Sequence, residues 1–361
     1  MKKLWKTLLG VAAGAAVILL GYSVYVFAAY DRLEDRLLLT VENARQAEAE
    51  TEKVYTAVSY NLGFGAYSAG YSFFMDGGTE SRAYSAEAVR ENIGGAMDAV
   101  SNLKPDFLLL QEVDQDATRS YHVDEVSMAA ELMPEKTWVY AQNYDSPYLF
   151  WPVTEPHGAS RSGIVTMSAY CVDSVLRRSL PVAENISCIL DLDRCYSVSR
   201  IPVENGKTLC LYNAHLSAYI SDSQIAMKQL ELLLSDMAAE YEAGNYVVCG
   251  GDFNKDLLGD SAARFGAAEG KANWSAPFPV DMLPEGITLW APFRGAQPVP
   301  SCRNADAPYD PETSLVLTVD GFLASDNVRV EWADVVDTGF AWSDHNPVAM
   351  TFSLQGTPGQ N

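Results

Sequence analysis

The 361-residue chain is poor in positive charge and in histidine. It has 25 Lys and Arg against 47 Asp and Glu, which gives a formal net charge of −22, and only 4 His. Nucleic-acid binding takes much of its affinity from Lys and Arg that displace counterions from phosphates. The charge balance therefore disfavours a nucleic-acid partner without excluding one. Hydrophobic residues make up 48% of the chain, which is too many for a disordered protein and predicts a substantial globular core.

Cysteine is also sparse, and the spacing of the six cysteines argues against a structural zinc site. None of them forms a C-x-x-C pair, which is the usual ligand spacing of such a site. Cys188 and Cys195 are spaced to pair across a loop. Cys210 and Cys249 lie in apolar, strand-like runs, so we expect them to be buried thiols.

One long run lacks charge altogether. Residues 7–30 contain 24 uncharged residues, and a helix of that length, at about 1.5 Å per residue, spans the roughly 30 Å hydrocarbon core of a bilayer. The run predicts a transmembrane signal-anchor over residues 1–30. A cleaved signal peptide and a buried helix are the alternatives, but the apolar region of a signal peptide is typically about 7–15 residues.

The charges around this run predict its orientation. Lys2, Lys3 and Lys6 precede it, and the positive-inside rule then places the N-terminus in the cytoplasm. Tyr22 and Tyr25 suit an aromatic belt at the far interface. We therefore expect a single-pass protein of the cell membrane whose remaining chain is extracytoplasmic.

The remaining chain divides by pattern into three parts. Residues 31–53 have apolar residues at helical spacing among charges, which predicts a helical stalk. Residues 54–354 alternate between strand-like and helix-like runs, and residues 355–361 form a polar tail. Two loop-rich stretches, 145–162 and 255–313, are interpreted as insertions on the substrate side.

The alternating part contains both hairpin and helical connections. An Asn205-Gly206 turn joins two strand-like runs over 197–215. Helical apolar faces over 89–103 and 226–241 each precede an apolar strand. Further strands are predicted at 315–319, 328–332 and 348–352. This mixture predicts an α/β fold in which two packed mixed β-sheets are flanked by helices.

Polar side chains recur where the predicted strands end. They are Asn61, Glu112, His215, Asp252, Asn254, Asp320, Asp344 and His345. Side chains at strand ends converge on one edge of a sheet. Their carboxylate and amide oxygens suit a hard cation such as Mg²⁺ or Mn²⁺, and the imidazoles and amides can stabilise charge on phosphorus. The set predicts hydrolysis of a phosphate ester.

Six segments around these residues resemble, in order, those of the endonuclease/exonuclease/phosphatase superfamily, also called deoxyribonuclease I-like. They are Ser59-Tyr60-Asn61, Leu110-Gln111-Glu112-Val113, Asn213-Ala214-His215-Leu216, Gly251-Asp252-Phe253-Asn254, Val319-Asp320-Gly321-Phe322 and Ser343-Asp344-His345-Asn346-Pro347. The resemblance covers residues 56–352 and implies a four-layer sandwich, with a catalytic domain over 54–354.

The resemblance also implies roles for the site residues. Glu112 would be the principal Mg²⁺ ligand, with Asn61 and Asp344 close to the metal. Asp252 would activate or align the attacking water, and Asn254 would hold the phosphate.

The two histidines of the set would act on the phosphate as well. His345, oriented by Asp320, would act on the phosphoryl group. His215 would bind phosphate oxygens and stabilise the leaving group.

Together these observations predict a membrane-anchored, Mg²⁺-dependent phosphoesterase that hydrolyses a phosphodiester. A lipid head-group or small phosphoester is favoured by the anchor, the negative charge and the aromatic residues Tyr148, Phe150 and Trp151 in a loop suited to lipid contact. The alternatives are an extracytoplasmic nuclease acting on DNA or RNA, and a non-catalytic binding protein on the same scaffold. No obligate protein partner is evident.

Overall fold

The computed structural model describes residues 2–29, 32–182, 193–218, 223–266, 274–293 and 298–356. Helix α1, Lys2–Ala29, is the one helix in these ranges that is long and apolar enough to cross a membrane. Nearly all of its surface is exposed, so it is not the core helix of a soluble protein. A signal sequence passes the same test of length and composition.

Two large sheets make up the body of the protein. The strands are β1 Leu37–Leu39, β2 Val54–Asn61, β3 Phe107–Ala117, β4 Thr137–Leu149, β5 Gly158–Ser168, β6 Ser174–Ser179, β7 Cys195–Pro202, β8 Thr208–His215, β9 Tyr246–Asp252, β10 Ile287–Trp290, β11 Cys302–Arg303, β12 Val316–Leu317, β13 Asp320–Ser325, β14 Val328–Val335 and β15 Val348–Leu354.

The six-stranded sheet has the order β14-β15-β2-β3-β5-β4, and the seven-stranded sheet has the order β1-β6-β7-β8-β9-β13-β10. Strands β11 and β12 form a separate ribbon. The pairs β2–β3 and β8–β9 are parallel and the other pairs are antiparallel, so both sheets are mixed.

Helices cover the outer faces of the two sheets. They are α2 Ala86–Ser101, α3 Glu125–Leu132 and α4 Ser223–Glu242. The short α5, Ser261–Arg264, packs beside the β11–β12 ribbon instead. Alternate residues of each strand face opposite sides, so Tyr55 of β2 lies in the core between the sheets while Tyr60 packs under α2. Leu230 and Leu233 of α4 pack on the outer face of the seven-stranded sheet. The prediction of a four-layer α/β sandwich is confirmed.

The structure contains local features that are typical of a helix start and of a hairpin turn. Ser85 caps α2 by accepting a hydrogen bond from the Ala88 N–H at 3.1 Å. The turn between β7 and β8 places Gly206 at a φ of 80°, where a residue with a side chain would be strained. The predicted 197–215 hairpin is confirmed.

The prediction of a helical stalk over 31–53 is wrong for the residues described. Residues 32–53, all of them described, contain turns and the strand β1 but no helix: Leu38 pairs with Leu176 in the β1–β6 ladder, and the Ala49 N–H donates to the Pro202 carbonyl at 2.9 Å. Leu39 and Val41 pack against the core between the sheets. Hydrogen-bonding partners on the body thus override a short helical pattern.

The prediction of a loop over 145–162 is also wrong in part. Strand β4 runs to Leu149 and β5 begins at Gly158, which leaves a tip of eight residues, 150–157. Two register shifts interrupt the β4–β5 ladder and hide its alternating pattern. Pro147 is tolerated because β4 is an edge strand.

The cysteines give a mixed outcome. Cys210 and Cys249 are buried thiols in the core beneath α4, as predicted. Cys195 is also a buried thiol. Cys188 lies outside the described residues, so its pairing with Cys195 stays a prediction.

Candidate active site

The site lies where the two parallel strand pairs end. Asn61, His215 and Asp252 are the last residues of β2, β8 and β9, and Glu112 lies in β3 beside Asn61. The Asn61 Nδ2 donates to Asp252 Oδ2 at 3.1 Å and so joins the ends of the two sheets. Parallel neighbours bring their carboxyl ends to one edge, and the predicted residues converge there.

Glu112 has a backbone conformation that turns its side chain toward this edge. Its φ is 52°, in the left-handed region that a residue with a side chain adopts only at an energetic cost. The β3–β5 register shifts between Leu110 and Val113 at the same point. Glu112 Oε1 accepts from Asn61 Nδ2 at 3.3 Å and lies 3.8 Å from His215 Nε2. A bulge therefore aims this carboxylate into the site.

Asp344 lies beside Asn61 and Glu112. Ser343 connects Asp344 to Asn61, because its hydroxyl donates to the Asn61 carbonyl at 2.7 Å and lies 3.3 Å from Asp344 Oδ1. Burial, and to a smaller extent the nearby Glu112 carboxylate, raises the pKa of Asp344 to about 6, although the charge of His345 acts in the opposite direction. Gathering carboxylates in a poorly solvated place is unfavourable without a cation.

These residues fit a hard metal ion. Two carboxylates and an amide oxygen are the ligands that Mg²⁺ accepts in proteins. Asp252, Asp320 and His345 also offer ligand atoms within 4.8 Å of one another. The 2.8 Å contact between His345 Nδ1 and Asp320 Oδ2 has the geometry of a hydrogen bond, however. Asp320 and His345 therefore form a hydrogen-bonded pair, and Glu112, Asn61 and Asp344 are the candidate metal-binding residues.

Asp320 orients His345 and keeps it charged. Ser301 Oγ donates to Asp320 Oδ2 at 2.7 Å, the oxygen that also accepts from His345 Nδ1. Burial alone would lower the pKa of His345, but the Asp320 carboxylate outweighs it and the pKa lies well above its usual value. His345 Nε2 is 3.9 Å from Asp252 Oδ2. The result is an imidazolium whose free N–H faces the site.

Asp252 is almost completely buried at the centre of the site. Its Oδ1 accepts from the backbone N–H of Asn254 at 2.9 Å. Burial, and then the nearby charge of Asp320, raises the pKa of Asp252 to about 7. Asn254 itself has a φ of 49° and donates from Nδ2 to the Leu216 carbonyl at 2.8 Å. Asp252 is thus fixed in position and able to accept a proton near neutral pH.

His215 contrasts with His345 in its protonation. Burial lowers the pKa of His215 well below its usual value, so the ring is neutral. Its Nε2 is 3.5 Å from Asp252 Oδ2, and its Nδ1 has no hydrogen-bond partner among the residues described. The two histidines therefore offer one charged and one neutral imidazole to the same space.

Two supporting residues, Ser301 and Arg303, lie outside the polar set at the predicted strand ends, although the segment Ser301-Cys302-Arg303 also resembles a stretch of the same superfamily. Ser301 fixes Asp320, and Arg303 donates from its guanidinium to the backbone carbonyls of Tyr67, Ser68 and Tyr71. The Arg303 side chain thus holds a loop beside the site. The backbone N–H of Arg303 donates to the backbone carbonyl of Asp344 at 2.9 Å. Neither residue lies at a predicted strand end, which is the signal that selected the others.

Comparison with known proteins shows the family of the chain. Residues 58–345 match the model of the Endonuclease/Exonuclease/phosphatase family. The chain belongs to this family. Members of the endonuclease/exonuclease/phosphatase family are hydrolases that act on phosphoester bonds, and they generally use divalent metals.

Solved structures of the endonuclease/exonuclease/phosphatase fold are similar over most of the chain. The endonuclease/exonuclease/phosphatase from Beutenbergia cavernae DSM 12333 gives a TM-score of 0.54 at 18% identity, over 85% of this chain and 73% of that one. The one from Bacteroides vulgatus gives 0.53 at 14% identity, over 84% and 100%. ANGEL2, a 2′,3′-cyclic phosphatase, in complex with adenosine-2′,3′-vanadate, gives 0.56 at 15% identity, over 90% and 100%. At identities this low, the structural similarity shows a shared fold and nothing more. A search of curated proteins finds no match.

Proposed function

We propose that the protein is a membrane-anchored, Mg²⁺-dependent hydrolase that cleaves a phosphodiester by attack of water. The observation that carries the proposal is the arrangement around Asp252. Asp252 Oδ2 accepts from Asn61, which also donates to Glu112, and the same oxygen lies 3.9 Å from Nε2 of His345 in the hydrogen-bonded Asp320–His345 pair.

The metal-binding role belongs to an oxygen-rich group of side chains. Glu112, with Asn61 and Asp344, would hold Mg²⁺ or Mn²⁺. When bound, the metal would polarise a phosphoryl oxygen and neutralise developing charge. Glu112 is the member best placed to bind first, because its side chain is 30% exposed at the mouth of the site.

Asp252 would orient the attacking water and accept its proton. Its carboxylate is fixed by Asn254 and Asn61, and its pKa of about 7 matches the task near neutral pH. Fixed geometry matters here because positioning the nucleophile supplies much of the rate enhancement.

The imidazoles and Asn254 would stabilise the charge on the phosphoryl group. His345 donates from Nε2 as an imidazolium, while neutral His215 donates a hydrogen bond without adding charge. Asn254 retains one amide hydrogen beyond the one that binds Leu216. The donors are held before the reaction begins.

The proposed membrane anchor and the net charge of the protein favour one class of substrate over the others. Helix α1 would span the membrane with its lysines in the cytoplasm, which leaves the site extracytoplasmic. A net charge of −22 opposes a polyanionic substrate. We therefore propose a lipid head-group or small phosphoester rather than DNA or RNA.

The test is hydrolysis by the purified full-length chain in detergent, with Mg²⁺ or with EDTA. The substrates are bis(p-nitrophenyl) phosphate, phospholipid and plasmid DNA, and the variants are Asp252→Asn and Asp306→Asn, a substitution at an exposed position. We expect Mg²⁺-dependent diester hydrolysis that Asp252→Asn loses and Asp306→Asn keeps. A preference for DNA would favour a nuclease. No turnover by folded protein would favour a binding protein.

A further inference from the structure

The β4–β5 hairpin ends in an exposed apolar tip. Phe150, Trp151 and Val153 are 57%, 68% and 75% exposed. Single apolar residues on a surface are ordinary, but neighbouring ones mark an interaction site. Outside α1, no other loop in the described ranges exposes three large apolar side chains so close together in the chain.

The base of this tip is attached to the far end of α1. Tyr22 Oη donates to the Tyr148 carbonyl at 3.1 Å, and the Tyr148 N–H donates to Tyr25 Oη at 2.9 Å. The Tyr22 and Phe150 rings meet edge to face, with centroids 5.3 Å apart. The tip and the helix end are therefore held at the same level.

The length of α1 predicts where its far end, and the tip attached to it, lie in a bilayer. Trp5 and Tyr25 are 20 residues apart, which is about 30 Å along a helix and equals the thickness of the hydrocarbon core. Tryptophan and tyrosine sit at the two interfaces of a membrane. With Trp5 at one interface, Tyr25 and the attached tip lie at the other.

The tip is also free of exposed charge where it would enter lipid. Phe150, Trp151, Pro152 and Val153 carry none. The one acid of the tip, Glu155, is exposed but lies two residues beyond Val153, and its backbone carbonyl accepts from Ser81 Oγ at 2.6 Å. Aromatic and aliphatic side chains of this kind insert into the headgroup region of a bilayer.

The tip lies on the edge of the sheet that carries the active site. Strand β3 passes from Glu112 to Ala117, which pairs with Ser160 at the start of β5. The Ala159 N–H donates to Thr118 Oγ1 at 3.2 Å. The tip thus extends beyond the strand ends that hold the metal-binding residues, and a bilayer touching the tip would face the site.

We propose that residues 150–153 insert into the outer interface of the bilayer beside α1, so that the active site faces the membrane and acts on phosphodiesters of lipid head-groups. The occupant of this surface is lipid. The choice of substrate rests on the proposed function, whereas the insertion of the tip rests on its exposed apolar residues, on its contacts with α1 and on the membrane span proposed for that helix.

The insertion is tested by fluorescence of the full-length chain in phosphatidylcholine vesicles with or without brominated acyl chains. Trp151→Tyr is compared with the wild type and with Trp332→Tyr, which lies on β14 at the opposite edge of the same sheet. We expect Trp151→Tyr to lose brominated-lipid quenching in proportion to one membrane-embedded tryptophan, and Trp332→Tyr to keep it. Equal quenchable emission in the wild type and Trp151→Tyr would overturn the proposal.

The substrate is tested by turnover. In the double variant Phe150→Ser/Val153→Ser we expect hydrolysis of vesicle phospholipid to fall at least tenfold while hydrolysis of soluble bis(p-nitrophenyl) phosphate is unchanged. Val280→Ser, another exposed apolar position, should change neither rate. Equal loss on both substrates would make the tip structural and contradict the proposal. Absence of turnover in every variant would refute the proposed function, and the quenching result would still decide the membrane contact.

Discussion

At the scale of the residue, the charge of His345 depends on one hydrogen bond. Asp320 accepts from His345 Nδ1 and fixes the tautomer that leaves Nε2–H free. Ser301 in turn fixes Asp320. In the proposed reaction, these three hydrogen-bonded side chains would hold His345 Nε2–H ready to donate to the phosphoryl group.

Asp320→Asn should remove the carboxylate that keeps His345 charged and fixes its tautomer, without unfolding the protein. The amide cannot stabilise an imidazolium as a carboxylate does, so we expect kcat for phosphodiester hydrolysis to fall by roughly 100-fold to 10,000-fold. The Mg²⁺ midpoint should be unchanged, because Asp320 is not a proposed ligand. A kcat within twofold of the wild type would show that His345 does not act in the way described.

His157 gives a test of stability that is independent of the chemistry. The ring is buried, its Nδ1 lies 2.8 Å from the Ser81 carbonyl, and burial followed by the charge of Arg119 lowers its pKa from 6.5 to about 4. Between these values the unfolded chain binds a proton that the folded chain does not. Stability is therefore retained above pH 6.5 and falls as the pH drops toward 4, by up to about 3 kcal/mol.

Replacing the ring should flatten this dependence. We expect His157→Asn, whose amide can also donate to Ser81, to lose less stability than the wild type between pH 6.5 and 4.5 in urea unfolding. His122→Asn, at an exposed histidine, should follow the wild type. Parallel curves for His157→Asn and the wild type would contradict the assignment.

Residue chemistry was the most predictable level of the site. The residue types at the strand ends already indicated a hard cation and charge stabilisation on phosphorus. The left-handed backbone of Glu112 and the support from Ser301 were not predictable, because a β-bulge and a contact between distant segments leave no local pattern.

At the scale of the element, the segment before β2 belongs to the body of the fold. Residues 37–39 extend the seven-stranded sheet, the Glu42 N–H donates to the Trp138 carbonyl at 2.9 Å, and Ala49 is completely buried. A short helical pattern was outweighed by these long-range hydrogen bonds, which a single sequence does not reveal.

Removal of this segment should therefore be costly. We expect a chain that begins at residue 54 to unfold at least 5 °C below one that begins at residue 32, since each kcal/mol lowers Tm by about 2–4 °C in a domain of roughly this size. Thermal unfolding followed by circular dichroism measures the difference. Equal midpoints would mean that residues 32–53 only rest on the surface.

At the scale of the whole molecule, two parallel strand pairs bring the site together. β2–β3 in one sheet and β8–β9 in the other end at the same edge, and the Asn61–Asp252 hydrogen bond joins them. Each pair was predictable from apolar strands with polar ends. The packing of one pair against the other was not predictable from periodicity, because no local signal specifies which sheets face each other.

The central claim is that this edge binds a metal ion used in phosphodiester hydrolysis. Its most direct test is a Mg²⁺ titration of bis(p-nitrophenyl) phosphate hydrolysis by the full-length wild type, by Glu112→Gln and by Glu131→Gln, at an exposed position on α3. We predict no hydrolysis in EDTA, and a half-maximal Mg²⁺ concentration at least about tenfold higher for Glu112→Gln alone, with partial rescue at high Mg²⁺. Hydrolysis that persists in EDTA, or the same Mg²⁺ midpoint in all three proteins, would contradict the claim.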